Sequence, residues 1–135
     1  MNDSLERLHA AVLAARDRDP AMSRTAKLFR EGSGKMAKKL AEEAIEVGLE
    51  LIQRDRTAMV LESVDLLYHL SVIWAEAGIT PADVAAEIER REQLYGIAEK
   101  LPKGAQHRVV IPLPGRKGSA RGAEKGASRK RCYQR

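Results

Sequence analysis

Between residues 4 and 95, apolar side chains recur every three to four positions, the period of a helix face rather than of a strand. Leu5, Leu8, Val12 and Leu13 form one such stripe, predicting a helix over residues 4–18. Asp3 and Glu6 have the spacing of a capping box at its start, and Asp19-Pro20 breaks it. Residues 24–31 predict a short helical turn, and Glu31-Gly32-Ser33-Gly34 a loop in which Ser33 caps a long helix to Arg54. Asp55 or Thr57 opens the next helix, which Gly78 ends. Thr80-Pro81-Ala82-Asp83 combines a hydroxyl cap, proline at the first helical position and an acid in the first turn, predicting a last helix to Tyr95, before Gly96. The expected fold is all-α, an antiparallel bundle of four to five helices joined by short loops.

Past Leu101 the period is lost to Gly, Pro and basic residues. Only His107–Leu113 has strand character, and the remainder reads as disordered. The chain therefore divides into a helical domain, residues 1–102, and a tail, residues 103–135.

This division changes the meaning of the charge. The net +5 hides a tail with ten Lys/Arg against one Glu and a helical part with fourteen Lys/Arg against eighteen Asp/Glu. The helical part is mildly acidic. With one Phe, one Trp and three Tyr, its core must be built from aliphatic side chains. The lone cysteine, Cys132, excludes an internal disulfide framework and fits a reducing cytoplasm. No signal pattern opens the chain, and no uninterrupted apolar run approaches the ~18 residues that span a bilayer. No Gly-rich phosphate loop or internal repeat is present. Roughly 90 helical residues leave long apolar faces with little to cover them, which predicts a homodimer.

The candidate chemistry lies in two acidic groups inside the most apolar helices: Glu42-Glu43-Ala44-Ile45-Glu46 and Glu62-Ser63-Val64-Asp65. A helix advances about 100° per residue, so with Glu42 at zero, Glu46 falls near ~40°, Glu43 near ~100°, Glu50 near ~80°, Lys39 near ~60° and Lys35 near ~20°. The stripe is basic in its first turn and acidic afterwards. On the next helix Glu62 and Asp65 are about 60° apart with His69 between them in angle, a narrow polar strip in an apolar body. If the strips face each other, the carboxylates repel and raise one another's pKa unless a cation intervenes. An all-oxygen donor set suits Mg²⁺, with Mn²⁺ also acceptable, and Mg²⁺ commonly completes its shell with substrate phosphates. Lys35 and Lys39 are placed to meet those phosphates. The plainer alternative is two amphipathic helices with solvated acidic faces. A di-iron bundle would need Glu-x-x-His on two helices, and only Glu6–His9 has that spacing.

These residues resemble the phosphoribosyl-ATP pyrophosphohydrolase family, the histidine-biosynthesis branch of the all-α NTP pyrophosphatase (MazG-like) superfamily, whose pattern is EExxE, a spacer, then ExxD. The flanks Thr25-Ala26-Lys27-Leu28-Phe29, Lys35 to Leu40, Asp65 to Leu70 and Gly78 to Arg91 resemble the family as well, so the likeness covers about residues 4–95. Ala41 stands where the family usually has Gly, and Arg24 where it has Tyr. The basic tail has no counterpart in the pattern, and the cyclohydrolase fused in some relatives is absent. The resemblance implies that Glu43, Glu46, Glu62 and Asp65 hold Mg²⁺ with Glu42 beside them. The implied reaction splits phosphoribosyl-ATP between its α- and β-phosphates, giving phosphoribosyl-AMP and pyrophosphate. Glu42 or Glu43 would take the proton from water, and Lys27, Lys35, Lys39 and His69 would meet the phosphates. The nearest alternative is a house-cleaning pyrophosphatase acting on dNTPs or modified NTPs.

Tyr68 and Trp74 read as packing residues, and Arg90 and Arg91 as a surface or dimer seam. The tail basics, including Arg116-Lys117 and Arg129-Lys130-Arg131, could bind nucleic acid by counterion release, and a non-catalytic helical dimer using them is a further alternative. With Tyr133 the tail's one aromatic and no recognition fold, a solvated extension is the expectation.

Overall fold

The computed structural model describes residues 2–96, and these are helical with no strand among them. Five helices follow in order: α1 (Asn2–Arg16), α2 (Arg24–Glu31), α3 (Ser33–Gln53), α4 (Arg56–Ala77) and α5 (Pro81–Tyr95). The expected strand at His107–Leu113 and the whole basic tail lie outside the described residues.

Local signals explain most boundaries. The Ser23 hydroxyl accepts from the Ala26 amide and starts α2; the Asp55 carboxylate accepts from Ala58 and starts α4. The Thr80 hydroxyl accepts from the Asp83 amide while the Asp83 carboxylate accepts from the Thr80 amide, a closed capping box with Pro81 in the first turn. Gly78 ends α4 at φ 70°, a left-handed conformation that favours glycine.

Two expectations fail. Ser33 does not cap α3: Gly32 occupies that position and makes no side-chain bond, and Ser33 is already helical. Asp3 and Glu6 form no capping box, because α1 begins at Asn2 and the Asp3 carboxylate instead pairs with Arg7 one turn on. α4, with 22 residues, is long and apolar enough to cross a membrane by length and composition, although the sequence predicts no such segment. Its second half supplies His69, Ser71, Val72 and Ala75 to the bundle core, and its carboxylates Glu62 and Asp65 lie in its first half.

The core is small. Val12 of α1, Leu28 of α2, Met36 of α3, and Val72 and Ala75 of α4 are buried together, with Phe29, Tyr68 and Ile73 packed against them. The Arg16 guanidinium lies 5.0 Å from the centre of the Phe29 ring and 3.6 Å from the Glu76 carboxylate, fastening the end of α1 over this core. The most extensive helix pairing is α3 on α4, and Arg54 turns the chain between them in a left-handed conformation, φ 60°. That pairing brings the acidic groups together. It also leaves Ile45 (62 % exposed), Leu49, Ile52 (78 %), Val60, Val64 and Leu67 open on its outer side.

Candidate active site

The carboxylates converge across the α3–α4 seam. One oxygen each from Glu43, Glu62 and Asp65 lies within 4.8 Å of the other two, the one such acidic group among the described residues. Glu43 is buried, Glu62 half-buried and Asp65 exposed. Glu46 is exposed beside them. Hydrogen bonding to Glu43 and the charge of that neighbour, then burial and Glu62, hold its carboxyl above the ordinary carboxylate range. Carboxylates this close disfavour one another's charge, and an added cation relieves that repulsion. Oxygen donors of this kind and number fit a hard divalent cation such as Mg²⁺.

Glu43 is the best anchored of the group. The Lys39 ammonium is 3.5 Å from one of its oxygens, and His69 Nε2 is also 3.5 Å away. His69 is buried, and burial is the main cause that lowers its pKa, against the opposing pull of Glu43. A neutral imidazole here can donate to Glu43 from Nε2; Nδ1 has no partner among the described residues.

Glu42 has a different environment. It is 2.7 Å from Lys39 and 3.6 Å from Lys38, and the hydrogen bond from Lys39 is the first cause that lowers its pKa. The same bond raises the Lys39 pKa. Glu42 is not among the residues lining the cleft that opens from the acids.

That cleft measures about 700 Å³. Glu43, Asp65 and His69 line it at the acidic group, and Lys27, Lys35 and Lys39 line it as well. The structure thus brings the phosphate candidates Lys27, Lys35, Lys39 and His69 to the same cavity as two of the metal candidates. It adds five residues that the sequence did not single out for the site: Arg24, Thr25, Leu28, Glu31 and Tyr68. Tyr68 packs on the core, as expected, but its hydroxyl reaches the Thr25 hydroxyl at 2.7 Å. The signal for Thr25 and Tyr68 lay in the flanking segments that carried the resemblance, not in any periodicity. Neither Glu6 nor His9 joins the acids, which leaves the di-iron alternative without ligands among the described residues.

Comparison with known proteins bears on the family. The phosphoribosyl-ATP pyrophosphohydrolase family model matches residues 5–92. The chain belongs to that family. It is 60% identical over 125 residues to phosphoribosyl-ATP pyrophosphatase 2 of Rhodopseudomonas palustris, covering 86% of this chain and 95% of that protein. It is also 60% identical over 114 residues to phosphoribosyl-ATP pyrophosphatase 2 of Bradyrhizobium diazoefficiens, covering 84% of this chain and 85% of that one. The phosphoribosyl-ATP pyrophosphatase of Azospirillum brasilense is 51% identical over 96 residues, 71% of this chain. The first two matches take in more of the chain than residues 1–102 make up. Their likeness therefore runs on into the basic tail, which the family pattern alone had left without a counterpart.

Proposed function

We propose that this member of the phosphoribosyl-ATP pyrophosphohydrolase family hydrolyses phosphoribosyl-ATP to phosphoribosyl-AMP and pyrophosphate, a step of histidine biosynthesis in the cytoplasm. The observation that carries the reading is the convergence of Glu43, Glu62 and Asp65 at a cleft whose other walls bear Lys27, Lys35 and Lys39. Acids that need a cation and cations that need an anion meet in one cavity, and a metal–polyphosphate complex satisfies both.

In this reading Glu43, Glu62 and Asp65, with Glu46 beside them, hold Mg²⁺, which Mn²⁺ can replace. The bound ion would offset the carboxylate charge and polarise the phosphoryl oxygens of the substrate. His69 and Lys39 hold Glu43 in place. Lys27 and Lys35 bind phosphate oxygens. The proton of the attacking water passes to Glu43 rather than Glu42, because Glu43 lines the cleft and Glu42 does not.

The arrangement of helices belongs to the same proposal. α3 and α4 run antiparallel on either side of the Arg54 turn. The exposed stripe of Ile45, Leu49 and Ile52 with Val60, Val64 and Leu67 is covered by the same stripe of a second copy. Full burial of an aliphatic side chain contributes about 1.5–3 kcal/mol, so six such residues can support a stable dimer. The tail is a solvated extension of the helical domain.

Pyrophosphate release from phosphoribosyl-ATP in Mg²⁺, set against release from ordinary dNTPs, tests the function. Dominant turnover of a dNTP would move the chain to the house-cleaning activity. Rescue of a histidine auxotroph lacking the pyrophosphohydrolase is the expected genetic outcome.

A further inference from the structure

The cations of the cleft are not equivalent. Lys39 is engaged by Glu42 and Glu43. Arg24, Lys27 and Lys35 line the same cavity, and among the described residues none of the three is within ion-pair distance of a carboxylate. Of these, Arg24 stands next in the chain to a line of contacts that reaches the acidic group. It opens α2, next to Thr25, whose hydroxyl is 2.7 Å from that of Tyr68 on α4. The Tyr68 ring stands edge-on to His69, with centroids 4.9 Å apart, and His69 Nε2 is 3.5 Å from Glu43. One line of contacts thus runs from the first turn of α2 to the buried acid.

Fold stability does not explain a cation at this position. The N-terminus of a helix carries the positive end of its dipole and prefers acids, yet the first turn of α2 has none. An arginine there, unpaired and facing a cleft, becomes favourable when an anion binds. Its planar fork can grip two phosphate oxygens at once, which a lysine cannot do.

We infer that Arg24 is a catalytic residue that grips the phosphate beside the acidic group, and that the Thr25–Tyr68 hydrogen bond is the latch that positions it. The inference rests on the reading of the cleft as a pyrophosphohydrolase site. In that reaction a water oxygen forms a bond to phosphorus while the P–O bond of the α–β bridge breaks. The bridging oxygen keeps the electron pair, and the proton of water goes to a carboxylate of the acidic group. Arg24 stabilises the negative charge that builds on the phosphate oxygens as the bridge opens.

The test uses the full chain in Mg²⁺ with two readouts, turnover of phosphoribosyl-ATP and affinity for pyrophosphate. Arg24→Ala is expected to lower kcat by about 100-fold, in line with loss of one charge-stabilising group, and to weaken pyrophosphate binding. Arg24→Lys recovers part of both, because it returns the charge without the fork. Thr25→Val and Tyr68→Phe each lower kcat by roughly fivefold, the worth of one hydrogen bond of ~1 kcal/mol, and the double variant is no worse than either alone. Thr25→Ser keeps the bond and the wild-type rate. Wild-type kcat and wild-type pyrophosphate affinity in Arg24→Ala would overturn the inference while leaving the functional reading intact. Additive losses in the double variant would overturn the latch. A wild-type chain inert toward phosphoribosyl-ATP, but whose pyrophosphate binding weakens in Arg24→Ala, would sink the functional reading and uphold the grip.

Discussion

α4 is apolar along its whole length, yet its two halves behave differently. From His69 to Ala77 it supplies His69, Ser71, Val72 and Ala75 to the interior. From Arg56 to Tyr68 none of its residues is buried, although Val60, Leu61, Val64 and Leu67 are as apolar as any core residue. The second half has α1, α2 and α3 to pack against, and its side chains hold the chain folded. The first half carries Glu62 and Asp65 on one side and open aliphatic side chains on the other. Apolar sequence therefore has two settings in one helix: the core of the single chain, and an open surface, which the proposed dimer would cover.

The sharpest break of that comparison is chemical. Asp65→Asn or Glu43→Gln should cost on the order of 100-fold or more in phosphoribosyl-ATP turnover while the chain stays folded, as read by pyrophosphate release and circular dichroism. Wild-type rates in both would remove the acidic group from the reaction. Next comes the core. Met36 is 1 % exposed, and Met36→Ala should lower unfolding stability by about 2–5 kcal/mol in denaturant titration. Val64→Asp, on the open half of α4, should leave the fold of each chain intact but shift sedimentation from dimer to monomer.

A smaller effect is expected from pH. The Glu46 carboxyl titrates above its ordinary value of 4.5 because Glu43 and Glu62 crowd it. The folded metal-free protein therefore binds that proton more tightly than the unfolded chain does. Stability from this group is complete below about pH 4.5 and is lost as pH rises through the folded value. Metal-free wild type should lose more thermal stability between pH 4.5 and 7 than Glu46→Gln does, and saturating Mg²⁺ should shrink the gap. An identical pH dependence in the two proteins would show that the crowding has no energetic weight. The smallest effect concerns a region remote from the site: Thr80→Ala removes the cap of α5, costs about 1 kcal/mol in stability, and leaves turnover unchanged.

Much of this was legible in the chain, for identifiable reasons. Thr80-Pro81-Ala82-Asp83 fixes the start of α5 because every determinant of that boundary is local. Ser33 misled because two glycines flank it, and the backbone chose Gly32 as the cap. The helical wheel put Glu46 near the centre of the acidic arc, with Glu42 and Glu43 at its opposite edges. Packing against α4 centred the seam on Lys39 and Glu43 instead and left Glu42 to its neighbouring lysines. Arg24, Thr25 and Tyr68 reach the cleft only because α2 lies on α4, a contact between segments more than 40 residues apart that no local pattern encodes.

The turn at Arg54 has a consequence for how this sequence can change. Glu46 stands eight residues before Arg54 and Glu62 eight after; Glu43 stands eleven before and Asp65 eleven after. In the antiparallel arrangement proposed for α3 and α4, residues equidistant from the turn come level, so the spacer between the two acidic motifs would act as a ruler. One residue inserted within either helix between an acid and the turn would slide that acid by about 1.5 Å and swing it by about 100°. Point substitutions in the spacer leave the alignment standing, whereas a single inserted or deleted residue destroys it. In this segment length is under tighter constraint than composition.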